Sequence, residues 1–444
     1  MATTYLTHTF GSAGSLTTWT LSCWVKKVSN GIEQRIFSCD DDASGNNDQW
    51  FKFDSADIIQ FSQYQSGYTQ KIETNRKFTD CSGWYHIVLV WDTTNASAGD
   101  RTRLYVNGVR ETSFSSEVQA SSSLGSLINN TTYPFEIGRR GNNNTQFFPG
   151  NLSNIAFVDG TALDPTSFGE VDSTSGIWKF TPPTGITWGT NGFWLKGENS
   201  AALGTDSSGN TNTFTTGGGT PTQSIDTPSN VYCTWNPLAQ PTGTLSNGNL
   251  SVDGVQDTPG TLGVNKGKWY WEYKRTNASN SIHWGICSTK LGFNLTSNQL
   301  LNGESNSVGA AIYVSEAGTG TTGYANAAGF SSTSYSGVST PSISNGDVVG
   351  CALDISTSSG TLQWFNNGVS FGSATFTYDD SVWVYPFIRQ NSGSTGDVNF
   401  GSGYFGTTAI SSAGTSSTGD DSVWEYDCPT GYYGLSTKNI NTYG

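Results

Sequence analysis

The sequence predicts an all-β protein, and three observations support this fold class. The 444-residue chain contains 54 Gly and 13% aromatic residues, but only 13% of its residues are charged. Short aromatic and β-branched runs are separated by Gly, Asn and Ser, which is typical of strands joined by turns. No stretch shows the Ala-, Leu-, Glu- and Lys-rich pattern at 3.6-residue spacing that an amphipathic helix requires.

Two short segments predict the same element at two distant places in the chain. RLYVNGVRETSF and LQWFNNGVSFG each join two alternating strands through an Asn-Gly pair. Because both central residues of a two-residue turn adopt positive φ, Asn107-Gly108 and Asn367-Gly368 predict two tight β-hairpins. Further Asn-Gly pairs, which agree with a turn-rich β protein, begin at Asn30, Asn191, Asn247, Asn302 and Asn345.

Strands in the first half of the chain indicate a two-sheet sandwich. TTWTLSCWVKK alternates so that Trp19, Leu21, Cys23 and Val25 share one face. WYHIVLVWD, at residues 84–92, is apolar on both faces, which predicts a central strand packed between layers. QWFKF and DIIQFSQY read as further strands, and turn signals recur about every ten residues, as in sandwiches.

Changes in composition divide the chain into four predicted parts. Residues 1–192 form the first sandwich, and residues 193–244 are a Gly-, Ser- and Thr-rich connector whose aromatic residues indicate that it is docked. Residues 245–410 carry a second run of strands, including GKWYWEYKR, GDVVGCALD and VWVYPFIR. Residues 411–444 begin with the low-complexity linker SSAGTSSTGD and end in an aromatic segment that we expect to dock.

The order of several motifs resembles known sandwich families. TWTLSCWVK, WYHIVLVWD, RLYVNGV and IGRR…FFPGNLSNIAFVDGTAL resemble the laminin G-like branch of the concanavalin A-like sandwiches over residues 1–170. GKWYWEYKR, HWGI, GDVVGCALD, LQWFNNGVSFG, Tyr385-Pro386 and VNFG resemble a SPRY domain over about residues 245–405. The resemblance implies two concanavalin A-like β-sandwiches of the jelly-roll type.

The arrangement as a whole resembles virion proteins of bacteriophages of the marine and cyanophage type. This resemblance includes the bridge that begins TNGFWLKGENS and the closing segment PTGYYGLSTKN. It implies a structural protein of a tail fibre, tail appendage or capsid surface, located on the virion after assembly in the host bacterial cytoplasm. Its expected partners are other virion proteins and host-surface polysaccharide. Because appendages follow particle symmetry, we expect a homo-oligomer, specifically a trimer.

Charge and hydropathy argue against two classes of partner. The net charge is −14 and the sequence pI is about 4.5, whereas nucleic-acid binding requires clustered Lys and Arg. The local cluster in IGRRG, at Arg139 and Arg140, is too small for that role. MATTYLTHTF lacks the features of a signal peptide, and no apolar run is long enough to span a bilayer. We therefore expect neither nucleic-acid binding nor membrane insertion.

The cysteine pattern indicates buried free thiols. The chain has seven cysteines, an odd number, and no CxxC pair. Cys23, Cys287 and Cys351 each lie inside apolar strand runs, where a thiol behaves as a small hydrophobic group. Disulfides remain the alternative, but free thiols agree with folding in a reducing cytoplasm.

The sequence predicts no enzyme. Laminarinase-type sandwiches place two carboxylates in an E-x-D-x-x-E strand, and the nearest match, FGEVDST, has Glu170 and Asp172 but Ser175 at the third position. Zinc-protease and P-loop motifs are absent. A polysaccharide depolymerase is therefore the least favoured alternative. Mid-strand positions flanked by aromatics indicate structural roles for His86 and His283, and the remaining histidine is His8.

Two polar loops carry oxygen ligands that suit Ca²⁺, and no other cofactor is expected. The first candidate is DSSGN, with Asp206 and Asn210 as the ligands. The second is DDDASGNND, which contains Asp40, Asp41, Asp42, Asn46 and Asp48. An ordinary polar turn is the favoured alternative at both places, because Asp, Asn, Ser and Gly dominate turns for backbone reasons.

Aromatic residues in polar surroundings predict ligand binding. Sugars stack on exposed aromatic rings, and Asn, Asp or Gln hold their hydroxyls. The candidates in the first domain are Trp50, Tyr64 and Tyr68. The candidates in the second domain are Tyr313, Tyr324 and Tyr335. The alternative is that these residues fill the core or a subunit contact, in which case the protein is a purely architectural decoration or fibre subunit.

Overall fold

The computed structural model divides the chain into two compact units, Met1–Gln223 and Ser224–Gly444. No helix among the described residues is long and apolar enough to cross a membrane. For residues 289, 309–315, 330–336 and 378 only the backbone is described. The described residues are 3–41, 46–141, 143–239, 242–255, 257–277, 282–289, 309–315, 330–336, 338, 341–378, 381–390 and 393–444.

The first unit is a sandwich of an eight-stranded and a six-stranded antiparallel sheet. The larger sheet has the order β10-β6-β5-β4-β3-β11-β1-β16, and the smaller has the order β15-β12-β2-β7-β8-β9. Strands β13 and β14 form a separate hairpin. The strands are β1 (Tyr5–His8), β2 (Thr18–Lys26), β3 (Gln34–Asp40), β4 (Asn47–Phe53), β5 (Ile58–Gln65), β6 (Tyr68–Lys77), β7 (Tyr85–Asp92), β8 (Thr102–Val106), β9 (Val109–Arg110), β10 (Phe114–Val118), β11 (Phe135–Ile137), β12 (Asn151–Asp159), β13 (Gly169–Val171), β14 (Trp178–Phe180), β15 (Phe193–Leu195) and β16 (Thr215–Gly217).

The central strand of the first unit is β7, as its apolar sequence predicts. It pairs with β2 on one side and β8 on the other. Its alternate residues Ile87, Leu89 and Trp91 face the core between the sheets, while Val88 and Val90 pack under a covering segment on the other face. Both faces of β7 are therefore buried, which explains the absence of polar alternation.

Part of the predicted connector completes the first unit. Strand β15 extends the smaller sheet by pairing with β12, and β16 extends the larger sheet by pairing with β1. Phe193 and Phe214 are buried in the core, with ring centroids 4.7 Å apart. These aromatic residues attach a Gly- and Ser-rich stretch to the sandwich.

The second unit is also a sandwich. One sheet has the order β17-β18-β28-β20-β24-β25-β26-β23, with β31 pairing parallel to β20, and the opposing sheet has the order β19-β27-β21-β22. Strands β29 and β30 form a hairpin. The elements are β17 (Thr244–Ser246), β18 (Ser251–Asp253), β19 (Thr258–Pro259), β20 (Lys268–Asn277), β21 (Ile282–Thr289), β22 (Gly309–Ser315), β23 (Phe330–Ser336), β24 (Val348–Asp354), β25 (Ser359–Asn366), β26 (Val369–Tyr378), β27 (Trp383–Gln390), β28 (Thr395–Asn399), β29 (Tyr404–Phe405), β30 (Thr408–Ala409), β31 (Tyr433–Gly434) and α1 (Thr437–Tyr443).

The structure confirms both predicted hairpins and the all-β fold class. Asn107 and Gly108 have φ of 49° and 78°, and Asn367 and Gly368 have φ of 49° and 79°. These positive values at both central residues are the ones that a two-residue hairpin turn requires. The chain therefore forms two β-sandwiches, as the predicted fold class states.

The cysteines of the described part of the chain are buried and form no disulfide there. Burial raises the pKa of the Cys81 thiol to about 11, and it also raises that of Cys23 and Cys287. A thiol in such an environment stays protonated at neutral pH and packs as a hydrophobic group.

Candidate ligand-binding groove

The outer face of the eight-stranded sheet carries polar and aromatic side chains because its strands alternate. In β4, Phe51 and Phe53 enter the core, so Trp50 and Lys52 point to the opposite face. In β5, Phe61 likewise enters the core. Tyr64, three residues further along β5, lies on the outer side, where it lines a groove beside Trp50.

This groove is the candidate site in the first unit. Its volume is about 290 Å³, just below the range of about 300–1,000 Å³ for ligand pockets. Strands β3, β4 and β5 supply its floor, and the loop between β11 and β12 supplies one wall. The lining residues are Glu33, Arg35, Asp48, Trp50, Lys52, Tyr64, Arg140 and Gln146.

The predicted ligand residue Trp50 lies in the groove but is not an open stacking surface. Only 7% of the residue is exposed. The Arg35 guanidinium lies 4.9 Å from the ring centroid, and the indole N–H donates to Gln60 Oε1 at 3.1 Å. Trp50 therefore forms part of the groove floor under a cation, with its polar atom already bonded.

Tyr64 and Tyr68 form the accessible aromatic pair. Their rings meet edge-to-face with centroids 5.4 Å apart across the β5–β6 turn. Tyr68 is 44% exposed and its centroid lies 6.2 Å from that of Trp50. Lys71 Nζ lies 4.6 Å from the Tyr68 centroid. The three aromatic residues predicted in the first domain are thus brought together, with Tyr68 as the exposed member.

A network of ion pairs holds the groove floor rigid. Arg35 donates two hydrogen bonds of 2.9 Å to the Asp48 carboxylate, and its Nε donates to Gln146 Oε1 at 2.8 Å. Lys52 pairs with Glu33 at 2.6 Å. Burial raises the pKa of the Asp48 carboxyl, an effect that the Arg35 guanidinium opposes. Bidentate geometry fixes these side chains more firmly than single contacts would.

The aromatic residues predicted in the second domain are only partly placed. Tyr313 lies in β22 opposite Gly285, and Tyr335 lies in β23 opposite Ala374. Tyr324 lies outside the described residues. Ligand binding in this region stays a prediction.

The loop proposed for Ca²⁺ at Asp206 is held by the chain itself. One Asp206 oxygen accepts from the backbone N–H groups of Trp194 and Ser208, at 2.9 and 2.8 Å. The other accepts from the N–H of Asn212 at 2.9 Å. Asn210 directs its amide nitrogen at the carbonyls of Gly189 and Gly192, so it presents a donor there. These contacts account for the DSSGN motif as a structured turn.

The second Ca²⁺ candidate, DDDASGNND, is also engaged in local contacts. Asp48 is paired with Arg35, and Asp41 accepts from the backbone and side-chain N–H groups of Asn47 at 3.2 and 3.1 Å. Asp42 lies outside the described residues, whereas Asp40 is buried at the end of β3. Within the described part of the chain, no three His, Cys, Asp or Glu side chains form a cluster that could hold a metal ion.

His86 contacts Ser22 but cannot serve it as a base in this arrangement. The Trp178 indole N–H donates to His86 Nδ1 at 2.9 Å, and an indole nitrogen is only a donor. His86 Nε2 therefore carries the proton and donates to Ser22 Oγ at 2.8 Å. Complete burial lowers the pKa of His86 to about 3. The neutral ring is a structural link between two layers.

The other candidate catalytic side chains are likewise paired with neighbouring groups or buried. Lys179 lies 3.2 Å from both Glu170 and Asp172, on the exposed β13–β14 hairpin. Hydrogen bonds from the N–H groups of Ser175 and Thr174 lower the pKa of Asp172. In the second unit, burial lowers the pKa of His283 to about 4.

The third histidine, His8, lies in β1. Its Nδ1 is 3.0 Å from the carbonyl oxygen of Thr213, and burial lowers its pKa. Its ring lies 5.0 Å from that of Phe10 and 5.2 Å from that of Phe214. This environment ties His8 to the edge of the core.

Sequence reasoning missed most of the charged groove residues. Strand alternation places Lys52 on the outer face with Trp50, so that signal was available. Arg35 reaches the same face through a register shift between Arg35 and Phe37 in the β3–β4 pairing, which alternation does not predict. Arg140 and Gln146 belong to the loop between β11 and β12, which returns to β3 through the bond from Arg35 N–H to the Gln146 carbonyl at 2.9 Å. No periodic pattern reveals such a return of a loop.

Comparison with known families identifies both units. Residues 2–167 match the laminin G family profile described as the concanavalin A-like lectin/glucanases superfamily, and residues 268–403 match the SPRY domain. The chain contains a laminin G-like domain and a SPRY domain. The groove lies in the laminin G-like domain, and the two matches confirm the domain types that the sequence motifs indicate.

Several solved structures are similar to parts of the chain. A native heptameric SAP-like pentraxin from Limulus polyphemus has 16% identity and a TM-score of 0.27, covering 36% of this chain and 71% of its own. The Ruminococcus gnavus IT-sialidase CBM40 bound to alpha2,3 sialyllactose has 12% identity and a TM-score of 0.25, covering 31% and 72%. The SPRY domain of human HERC1 has 14% identity and a TM-score of 0.24, covering 37% and 96%. No curated protein sequence matches the chain.

Proposed function

We propose that the chain is a non-enzymatic binding protein whose laminin G-like domain takes a carbohydrate in the groove. The observation that supports this proposal is the exposed Tyr68 ring beside Tyr64, at the edge of a polar groove with a rigid floor. A sugar presents apolar C–H faces to an aromatic ring and hydroxyls to polar side chains. The accessible carboxylate of Glu33 and the guanidinium of Arg140 supply an acceptor and a donor for such hydroxyls.

The proposed setting is a bacteriophage particle, where the chain is displayed on a tail fibre, tail appendage or capsid surface. The support is the order of a laminin G-like domain and a SPRY domain, together with the resemblance of the connecting and closing segments to phage virion proteins. The ligand is then host-surface polysaccharide, and the partners are other virion proteins and further copies of the chain, in a trimer.

The binding proposal is tested by titrating the full chain with polysaccharide isolated from the host surface and measuring affinity by calorimetry. Tyr68→Ala should weaken binding about 2- to 13-fold, because a stacked aromatic ring contributes about 0.5–1.5 kcal/mol. Trp383→Ala is the matched control, since Trp383 is 48% exposed but lies in the SPRY domain. Equal affinities of the wild type and Tyr68→Ala would contradict the assignment of the groove.

The setting and the lack of catalysis need separate measurements. Immunogold labelling of intact particles with an antibody against the chain should decorate the virion, and unlabelled particles would contradict the proposed setting. Incubation of the chain with host polysaccharide should release no reducing ends. A time-dependent release would favour the depolymerase instead.

A second candidate function is a purely architectural subunit, and one apolar surface favours it. Val109, Val171 and Ile177 are 66%, 61% and 66% exposed. All three lie near Trp178 along the chain: Val171 is its partner in the β13–β14 pairing, Ile177 precedes it, and Val109 follows Gly108, which lies under its ring. Exposed apolar patches are typical of protein contacts. If this surface joins subunits, Val171→Ser should lower the oligomer fraction in analytical ultracentrifugation without changing glycan affinity.

A further inference from the structure

Three cationic side chains line the groove, and two of them are neutralised by close partners. The Arg35 guanidinium is bound on both nitrogens by Asp48 and on Nε by Gln146. The Lys52 ammonium is paired with Glu33 at 2.6 Å. These side chains build the floor and have little capacity left for a ligand.

Arg140 differs from the other two cations. Its nearest carboxylate oxygen is Asp48 Oδ2 at 3.7 Å, and that oxygen already accepts from Arg35 at 2.9 Å. Its Nε is buried and makes no hydrogen bond within the described part of the chain. The side chain is 25% exposed and lines the groove. Arg140 therefore brings hydrogen-bond donors to the site without a carboxylate of its own.

The neighbouring Arg139, unlike Arg140, has a close carboxylate partner of its own. Arg139 lies 2.6 Å from Glu136, stacks 3.4 Å from the Tyr5 ring centroid and donates to Asn144 at 2.7 Å. The backbone N–H of Arg140 bonds to the Thr145 carbonyl at 2.9 Å, which fixes the base of its side chain. The same loop thus anchors one arginine in the sheet and presents the next to the groove.

The charges of the groove favour an anion. Its lining contains the cations Arg35, Lys52 and Arg140 against the carboxylates Glu33 and Asp48, an excess of one positive charge. The whole chain carries a net charge of −14. The positive groove, with the unused guanidinium donors of Arg140, attracts an anionic group. The rest of the acidic protein repels it, so the attraction is confined to the groove.

We propose that the groove recognises an acidic sugar, whose anionic group pairs with Arg140 while its ring lies toward Tyr64 and Tyr68. This inference rests on the proposed carbohydrate binding and names the class of sugar. A guanidinium binds carboxylate or sulfate through two parallel hydrogen bonds, so both kinds of acidic sugar share the required chemistry. Tyr64 lines the groove together with Arg140, and its ring contacts that of Tyr68. Tyr64 therefore connects the charged part of the groove with its aromatic edge.

The test measures the affinity of the full chain for three defined polymers at one ionic strength. Polygalacturonate supplies carboxylates, dextran sulfate supplies sulfates, and dextran is neutral. We expect at least one acidic polymer to bind about 10-fold more tightly than dextran, and the stronger of the two identifies the anionic group. Arg140→Gln should remove this preference, and Arg140→Lys, which keeps the charge but not the paired donors, should retain part of it.

Arg76→Gln provides the matched control, because it removes the same charge from an exposed arginine that lies outside the groove. An equal loss with Arg76→Gln would overturn the inference, since it would indicate unspecific attraction. Dextran binding that depends on Tyr68 but shows no acidic preference would overturn the inference and leave the proposed function standing. Failure of all three polymers to bind would overturn the inference, whereas the proposed function is decided by the titration with host polysaccharide. Circular dichroism of each variant confirms that a lost affinity does not arise from unfolding.

Discussion

The two Asn-Gly hairpins connect to their sheets in the same way in both domains. In the laminin G-like domain, Asn107 Oδ1 accepts from the His86 N–H and Asn107 N–H donates to the His86 carbonyl, both at 2.8 Å. In the SPRY domain, Asn367 makes the same two bonds with Val348, at 2.9 and 2.8 Å. Asn therefore serves each turn in two ways: it tolerates positive φ, and its side-chain oxygen accepts a hydrogen bond from a strand N–H.

In both domains, an aromatic residue from a later segment covers the turn glycine. A Cβ at Gly108 would lie 2.5 Å from the Trp178 ring, and a Cβ at Gly368 would lie 2.8 Å from the Tyr426 ring. We call residues 162–195 and 411–435 the covering segments of the laminin G-like and SPRY domains. Each segment ends at a strand of the sheet that it covers, β15 in one domain and β31 in the other. The residues before that strand pack on the outer face of the sheet and add a third layer.

The covering segments differ in the buried group that holds them. In the laminin G-like domain, neutral His86 accepts a hydrogen bond from the Trp178 side chain. In the SPRY domain, the Glu272 carboxylate accepts from the backbone N–H groups of Glu425 and Tyr426, at 2.8 and 2.9 Å. The laminin G-like domain thus binds a side chain of its covering segment, and the SPRY domain binds main-chain N–H groups. The buried group that makes these bonds is a base, His86, in the first case and an acid, Glu272, in the second.

The largest expected effect is the loss of Trp424, which anchors the SPRY covering segment. Trp424 is fully buried and meets Tyr270 edge-to-face at 4.9 Å. Trp424→Ala should destabilise the SPRY domain by about 3–5 kcal/mol, because it leaves a large cavity between the segment and the sheet. Hydrogen exchange with mass spectrometry on the full chain should show faster exchange in residues 411–435.

Two variants control for this effect. Trp178→Ala should cost the laminin G-like domain less, about 1–3 kcal/mol, because Trp178 is only half-buried. Trp383→Ala, at a half-exposed position, should cost about 1 kcal/mol or less. A Trp424 variant no less stable than the Trp383 variant would show that the segment is not an integral layer.

The second prediction concerns pH, for which the two buried anchors have opposite signs. Burial lowers the pKa of His86 from 6.5 to about 3, so below pH 6.5 the unfolded chain gains a proton that the folded chain refuses. Burial raises the pKa of Glu272 from 4.5 to about 7, so above pH 4.5 the unfolded chain loses a proton that the folded chain keeps. Acidification from pH 7 to 5 should therefore weaken the His86 contribution and strengthen that of Glu272.

Variants isolate each contribution from the other titrating groups, among them His283, whose pKa is lowered to about 4 and which opposes Glu272. The stability of the wild type relative to His86→Gln should fall by up to about 1.4 kcal/mol per pH unit below pH 6.5. The stability relative to Glu272→Gln should rise over pH 7 to 4.5. Urea unfolding followed by domain-resolved hydrogen exchange measures both stability differences as a function of pH. If the two differences changed with pH in the same direction, the opposite roles of His86 and Glu272 would be refuted.

Features encoded by local patterns could be predicted from the sequence. The Asn-Gly pairs specify their own backbone conformation, and the apolar run of β7 specifies a central strand. Alternation in β4 and β5 also explains why Trp50 and Tyr64 reach the same face. These features depend on neighbours two to four residues apart, which the sequence displays directly.

Features that depend on distant returns of the chain could not be predicted. Trp50 has a guanidinium over its ring because β3 pairs with β4, and the sequence does not show that register. Arg140 reaches the groove through a loop, and the buried partner of Glu272 is a segment more than 150 residues away. The sequence shows an aromatic C-terminal stretch but not which sheet face accepts it.

The smallest expected effect tests whether the two Asn-Gly turns are equivalent. Asn107→Gly and Asn367→Gly each keep the positive φ at no steric cost but remove the side-chain acceptor from a strand N–H. Each should cost its own domain about 0.5–1.5 kcal/mol, the usual net value of one hydrogen bond. Ala at either position should cost about 1 kcal/mol more, because a Cβ disfavours φ near 49°. Domain-resolved unfolding should show equal losses of unfolding free energy in the two domains. A loss in only one domain would show that the two turns do not contribute equally to the stability of their sandwiches.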